Sequence, residues 1–289
     1  MKQRCFLMLL SLLLAACVAG CSIMPFEDPE EQRKEEAQVQ GQNAAELPVI
    51  PSELLDADLT LDEQLTNDQG QTMASYSVNL PQFVVDEAKK GQSFQRINEY
   101  YQDQLTGCRE DRDSLFTMAK EHYGKSWASA AADQLLYSTE MTYTLTDAPD
   151  GYVCVLRTYK LRDGSARAEV YRDAEVFLLD NGWRLTLEEL FGSNYEEAEP
   201  LLTAGIRAWC VEQGMSEEAA AALNAEDFAQ GFGMDADSLL FFLPPFTLSA
   251  ADDQAHIVSL SLSQFANLLP ENIELPAGQP EDATSPHSA

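Results

Sequence analysis

The sequence predicts an α+β fold: an antiparallel β-meander packed with a long helix and a C-terminal group of helices and strands. Three observations predict it. An apolar period of 3.6 residues runs from Phe94 to Tyr123. Alternating segments then follow, punctuated by Pro149-Asp150-Gly151, Arg162-Asp163-Gly164 and Asp180-Asn181-Gly182. After Leu185 the pattern changes to helix-capping signals and short apolar runs.

The chain opens with a short basic stretch, Met1 to Arg4, and a Leu-rich apolar run from Cys5 to Val18. That run is shorter than the ~20 residues a membrane-spanning helix needs, and it suits the apolar region of a secretion signal. It ends in Val18-Ala19-Gly20-Cys21-Ser22, which resembles the bacterial lipobox. Small residues admit the peptidase to the backbone, and the Cys thiolate takes the diacylglycerol. Leu14-Ala15-Ala16-Cys17 fits the same pattern but lacks the preceding Gly and leaves a shorter apolar run. Residues 1–20 are therefore expected to be a signal peptide. Cys21 is expected to be the lipidated residue that holds the mature chain to the outer, extracytoplasmic face of the cell membrane. Two or more acyl chains anchor stably where one alone is marginal.

Residues 21–72 are rich in Glu, Asp, Gln, Asn and Ala, and are interrupted by Pro25, Pro29, Pro48 and Pro51. This composition predicts an acidic, flexible tether. The Pro-, Glu- and Ser-rich residues 271–289 read as a tail, leaving 73–270 as the folded domain.

Within that domain, Tyr76 to Leu80 alternates as a strand and stops at Pro81. Ser93 is the expected cap of a helix whose apolar stripe is Phe94, Ile97, Tyr101, Leu105 and Cys108, continued by Leu115, Phe116, Ala119 and Tyr123. Leu135–Leu145, Tyr152–Leu161 and Ala166–Leu179 read as successive strands. Asp180-Asn181-Gly182 predicts a type I′ hairpin turn into a fourth strand at Trp183-Arg184-Leu185. Thr186-Leu187-Glu188-Glu189 is a capping box closed by Gly192. Ser193-Asn194-Tyr195-Glu196 reads as a second, opening a helix to Gly214. Ser216 starts a short helix. Phe241–Leu243 and His256–Leu260 read as final strands, with Ser261 capping a last turn.

The charge balance excludes some partners. The 289 residues include 48 acids and 18 bases, for a formal net charge of −30. Loss of Lys2 and Arg4 with the signal takes this to −32. After Arg184 the one basic residue is Arg207. No nucleic acid is expected as a partner, because phosphate binding needs clustered Lys and Arg. Anionic lipids and wall polymers are repelled by the same charge, whereas a cationic protein is attracted.

No catalytic, cofactor-binding or metal-binding constellation is apparent. The histidines are His122, His256 and His287, and neither a Gly-x-Ser-x-Gly nor a His-Glu-x-x-His run occurs. Asp235-Ala236-Asp237-Ser238 lacks the ligands of a calcium loop and reads as a turn. Asp111 and Asp113 around Arg112 read as a solvated helix face or a break. Glu188 and Glu189 on one helical turn do not straddle a substrate. Trp127, Trp183 and Trp209 have spacings that favour core packing over stacking on sugars. Beyond the signal and Cys21 there are Cys108, Cys154 and Cys210. No CxxC pair occurs, and buried thiols acting as small hydrophobes are the simplest reading.

The meander is followed by Trp183-Arg184-Leu185-Thr186-Leu187-Glu188-Glu189-Leu190-Phe191. Then come a helix, Leu239-Leu240-Phe241-Phe242-Leu243-Pro244-Pro245-Phe246, and Ile257-Val258-Ser259-Leu260. Over roughly Tyr76 to Leu269 this order resembles the extracellular domain of RsiV-type anti-sigma factors, a domain also found fused to peptidoglycan deacetylases. The resemblance implies an extracytoplasmic module that recognises a protein or the cell wall, since RsiV itself binds lysozyme. The family's cytoplasmic sigma-binding segment and membrane span have no counterpart here, so the anti-sigma role does not carry over. The family's Gly-Gly-Ala-His step is replaced by Asp163-Gly164-Ser165-Ala166-Arg167, without His. The function expected is a non-catalytic binding or sensing module for a cationic, lysozyme-like protein. The competing expectation is a wall accessory that binds peptidoglycan or positions a wall-modifying enzyme.

Overall fold

Two strands separated in sequence by a long helix lie side by side in parallel, and this pairing organises the molecule. A parallel neighbour cannot be reached by a tight turn, so the chain must cross over, and the helix provides the crossover. The computed structural model describes residues 54–85, 91–124, 137–164, 167–224 and 231–270. All of them lie in the unit Leu47–Ala289.

A five-stranded sheet has the order β1 (Leu59–Thr66), β2 (Thr72–Leu80), β3 (Tyr137–Thr146), β4 (Tyr152–Asp163), β5 (Glu169–Leu178). β1 and β2 are antiparallel, with Leu59 opposite Leu80. β2 and β3 are parallel, with Ala74 opposite Tyr137. β3, β4 and β5 form the antiparallel meander. The helix α1 (Gly91–Tyr123) spans roughly 50 Å at 1.5 Å per residue. It packs Phe94, Ile97, Tyr101 and Leu105 against the sheet face lined by Tyr76, Val78, Met141, Val153, Val155 and Phe177.

The opposite sheet face presents Tyr152, Cys154, Leu156, Ala174 and Val176 to a second core. That core is completed by α2 (Leu187–Phe191), a 3-10 turn at Gly192–Asn194, α3 (Tyr195–Glu212), α4 (Glu217–Ala220) and a three-stranded antiparallel sheet. The small sheet has the order β6 (Gly233–Met234), β7 (Ser238–Leu243), β8 (His256–Ser261) and is followed by a 3-10 turn at Leu262–Phe265. Every residue of β7 is buried, which explains its unbroken apolar run. Gly205 lets α3 approach β8 closely, since a Cβ there would stand 2.9 Å from both Leu260 methyls.

The α+β architecture is the one expected, with differences in detail. The expected tether, 21–72, contains β1, so the fold begins before residue 73; the remainder of that segment up to residue 53, the signal and the tail lie outside the described residues. Ser93 is inside α1 rather than at its cap, because the helix already includes Gly91. The fourth strand of the meander is reduced to a single bridge between Phe177 and Arg184, since Thr186 begins to cap α2 two residues later. The turn before it is not type I′. Gly182 has φ +73 but Asn181 keeps a negative φ, and the Gly182 amide donates to the Leu178 carbonyl at 2.7 Å. A Cβ at Gly182 would collide with the Ser93 carbonyl, so this turn is pinned on the first turn of α1.

The capping box at Thr186 and Glu189 forms with both reciprocal bonds, and Ser216 and Ser261 cap their segments. The second expected box does not form. Ser193 is absorbed in the 3-10 turn, and Asn194 precedes α3 without a side-chain cap bond.

Candidate functional site

Two features stand apart from ordinary core and surface. The first is a charged network sealed between α1 and the sheet. Arg157 on β4 and Asp173 on β5 are directly opposed, and Arg157 Nε and Nη2 donate to the two Asp173 oxygens at 2.8 Å each. Arg157 Nη2 also lies 3.1 Å from Glu175 Oε1. Glu175 is only 2% exposed. Tyr101 donates to its Oε2 at 2.9 Å, and Tyr100 donates to Oε1. Tyr159 donates to Asp173 at 3.3 Å.

Burial, followed by the Glu175 charge, pushes the Tyr100 and Tyr101 hydroxyls up, so both remain donors. Burial works against the Arg157 charge, but Tyr159, Asp173 and Glu175 outweigh it and its pKa rises. An ion pair this deep is stable only when its remaining lone pairs and protons are used. Here they are: no buried side-chain nitrogen or oxygen among the described residues lacks a partner. Donors and acceptors aim at each other rather than at an open position. Chemically, the network locks α1 onto the sheet and offers no free base or nucleophile.

The second feature is a segregation of charge. Between Thr186 and Pro270 the described acids are Glu188, Glu189, Glu196, Glu197, Glu199, Glu212, Glu217, Glu218, Asp235, Asp237, Asp252 and Asp253, against a single guanidinium, Arg207. That guanidinium turns back onto its own chain, donating to the Leu223 carbonyl at 2.8 Å and to Asn224 at 3.1 Å. The layer that covers one sheet face is thus strongly acidic. Apart from Arg207, the described Lys and Arg residues all lie in α1, the larger sheet, the β4–β5 connection (Arg167) and the turn after β5. Such a one-signed surface raises the local concentration of cations and steers a cationic partner.

The residues singled out from the sequence distribute as follows. Cys21, Cys17, Trp127 and His287 lie outside the described residues. Cys108, Cys154 and Cys210 are free thiols, with Cys154 and Cys210 buried. His122 packs on Tyr123 and Tyr137, and His256 pairs with Asp252 beside Trp209. Asp235 forms the expected turn, its Oδ1 accepting from the amides of Asp237 and Ser238 at 3.2 and 2.8 Å. No group of three or more His, Cys, Asp and Glu among the described residues is placed to hold a metal ion.

One expectation fails here. Trp183 is 60% exposed rather than core, with the Arg96 guanidinium 4.4 Å from its ring centre. Asp111 and Asp113 are exposed, as expected, whereas Arg112 between them is not. It falls in the sheet-facing stripe of α1 and pairs with Glu63 of β1 as well as with Asp113. The Arg157 network escaped the sequence reading altogether, although Arg157 and Asp173 sit at matching positions on either side of one hairpin.

No protein-family model matches the chain, and no curated protein matches it. Solved structures do. A DUF3298 family member from Bacteroides fragilis aligns with a TM-score of 0.51 at 14% identity, over 77% of this chain and 96% of that one. A DUF3298 family protein from Pseudomonas aeruginosa aligns at 12% identity with a TM-score of 0.47, over 80% and 98%. The first of these likenesses shows a shared fold.

Proposed function

We propose that this chain is a lipid-anchored extracytoplasmic module, held to the membrane through Cys21, that binds a cationic protein without catalysing a reaction on it. The observation that carries the proposal is the acidic layer of α2–α4 and β6–β8, in which the one guanidinium is already engaged by its own chain. Long-range attraction draws in a cationic partner and sets the register of docking. The lipobox around Cys21 supports the compartment. The resemblance to the RsiV extracellular domain supports a lysozyme-like protein as the partner.

The test is direct binding of the purified full-length protein to a basic lysozyme. At an ionic strength of ~0.01 M the Debye length is about 30 Å, and at ~0.1 M about 10 Å. Binding at the lower salt that weakens steeply at the higher is expected; absence of binding at both removes lysozyme as the partner. The anchor is tested separately by mass spectrometry of the mature N-terminus. A diacylated Cys21, lost in Cys21→Ser, is expected, and an unmodified N-terminus overturns it.

Exposure of the Trp183 ring favours one second reading, a wall accessory that stacks this ring on a peptidoglycan sugar. Retention on insoluble peptidoglycan that Trp183→Ala abolishes, without affinity for basic proteins, would select it.

A further inference from the structure

The helix α3 has two faces of different character. Ala198, Leu202, Ile206 and Cys210 are buried in the core. On the opposite side Leu201, Ala204, Ala208 and Val211 are all exposed, Leu201 by 50% and Val211 by 38%. Their spacing of three, four and three residues keeps them on one line along the helix. Leu201 and Val211 lie about 15 Å apart along the axis, roughly three turns of a partner helix. The two alanines between them form a shallow valley, which permits close helix–helix approach because interaxial distance follows side-chain size. No described residue covers this line.

The surroundings are acidic at both ends. Glu196, Glu197 and Glu199 lie in the first turns, and Glu212 closes the helix, with Glu217 and Glu218 following on α4. Pro200, inside α3, has no N–H to give to the Glu196 carbonyl, which adds an acceptor at the same end. We infer that this face of α3 is the docking surface for a basic amphipathic helix of the partner, its apolar side seated on Leu201, Ala204, Ala208 and Val211 and its Lys and Arg residues reaching the flanking glutamates.

Charge decides between this occupant and others. A second copy of the chain would bring like-charged ends together. The segment after Pro270 carries Glu271, Glu274, Glu281 and Asp282 with no Lys or Arg, so it too is repelled. A helix with cationic flanks is the complementary ligand.

The inference rests on the proposal of a cationic partner and is tested so that the two can fail apart. The probes are a basic lysozyme and a labelled Lys/Leu peptide with its leucines on one helical face; a scrambled peptide of the same composition serves as control. The full-length protein is expected to bind the patterned peptide more tightly than the scrambled one. Leu201→Ser/Val211→Ser should weaken that binding at least roughly tenfold, from the apolar area no longer buried. Ala204→Gln/Ala208→Gln, which keeps helix propensity and fills the valley, should do the same. A control, Glu99→Gln/Asp103→Asn/Glu110→Gln on α1, removes three charges away from this face and should have a smaller effect.

If the protein binds neither probe, the cationic-partner reading is lost. If it binds lysozyme but both α3 variants bind the peptide like the parent, or the α1 control weakens binding equally, only the docking surface is overturned. Association with phosphatidylcholine vesicles that Leu201→Ser/Val211→Ser abolishes, without peptide binding, would assign the stripe to lipid and also overturn it. Self-association at high salt that the same variant abolishes would assign it to a second copy.

Discussion

Arg157 and Asp173 face each other across β4 and β5 through two bonds of 2.8 Å, and the same guanidinium holds Glu175 in the dry layer under α1. The two carboxylates are not equivalent. The Asp173 side chain is 34% exposed, so water can replace what it loses, whereas Glu175 has no such recourse.

Arg157→Met should therefore be severe, about 3–5 kcal/mol, because it strands the Glu175 charge. Asp173→Asn should cost much less. Combining Arg157→Met with Glu175→Gln should recover part of the loss, since the stranded charge is gone. Urea unfolding of the singles and the double gives the coupling directly; additive losses would show that the three groups do not act as a unit.

Gly107 and Gly205 both interrupt helices but have opposite surroundings. A Cβ at Gly107 meets nothing within 4 Å, so Gly107→Ala should stabilise by about 0.5–1 kcal/mol through helix propensity and a less free unfolded chain. Gly205→Ala gains the same propensity but must displace the Leu260 methyls, and it should be neutral or destabilising. Thermal unfolding distinguishes them.

Much of the architecture was legible because local and global signals agreed. The α1 stripe, the meander turns and the Thr186 capping box each met a single physical demand. β1 was hidden because it is an edge strand in which only Leu61 is buried among eight residues, and its acids read as tether. The Arg157 network was hidden for a different reason. Alternating polar positions usually mark a wet sheet face, but here both faces are covered, and the pairing that neutralises these groups depends on a register and on Tyr100 and Tyr101 from a remote helix. The role of Arg112 was hidden because a charge within an apolar stripe is explained only by its partner Glu63, on a strand not recognised from the sequence.

Asp235 should make stability pH-dependent. Burial, opposed by the amides it accepts from and reinforced by Asp237, raises its pKa. Between the ordinary carboxyl value and that raised value the folded chain binds more protons than the unfolded one, so this group's contribution to stability falls as pH rises through the window. Asp235→Asn keeps the turn acceptor without the charge. It should flatten the decline and be at least as stable as the parent at neutral pH. Asp235→Ala removes the acceptor and should cost about 1 kcal/mol. Denaturant midpoints across the acid range check all three.

The thiols should be sluggish. Burial pushes Cys154 up to about 11 and raises Cys108 and Cys210 as well. At pH 8 little thiolate is present at any of them, and the thiolate is the reactive form. Alkylation followed by peptide mass spectrometry should find Cys154 and Cys210 unmodified in the native protein and fully modified in denaturant, with Cys108, the more accessible site, intermediate.

The parallel junction between β2 and β3 has a consequence for how the molecule is made. Ala74 and its partner Tyr137 are 63 positions apart, so during synthesis from the N-terminus the inner border of β2 waits, unmatched, until the crossover helix and the next strand have both emerged. Non-local pairings of this kind slow folding and leave a sticky rim exposed meanwhile. The β1–β2 hairpin is thus the stage at which nascent chains are most prone to clump, and shielding by a chaperone would matter most there.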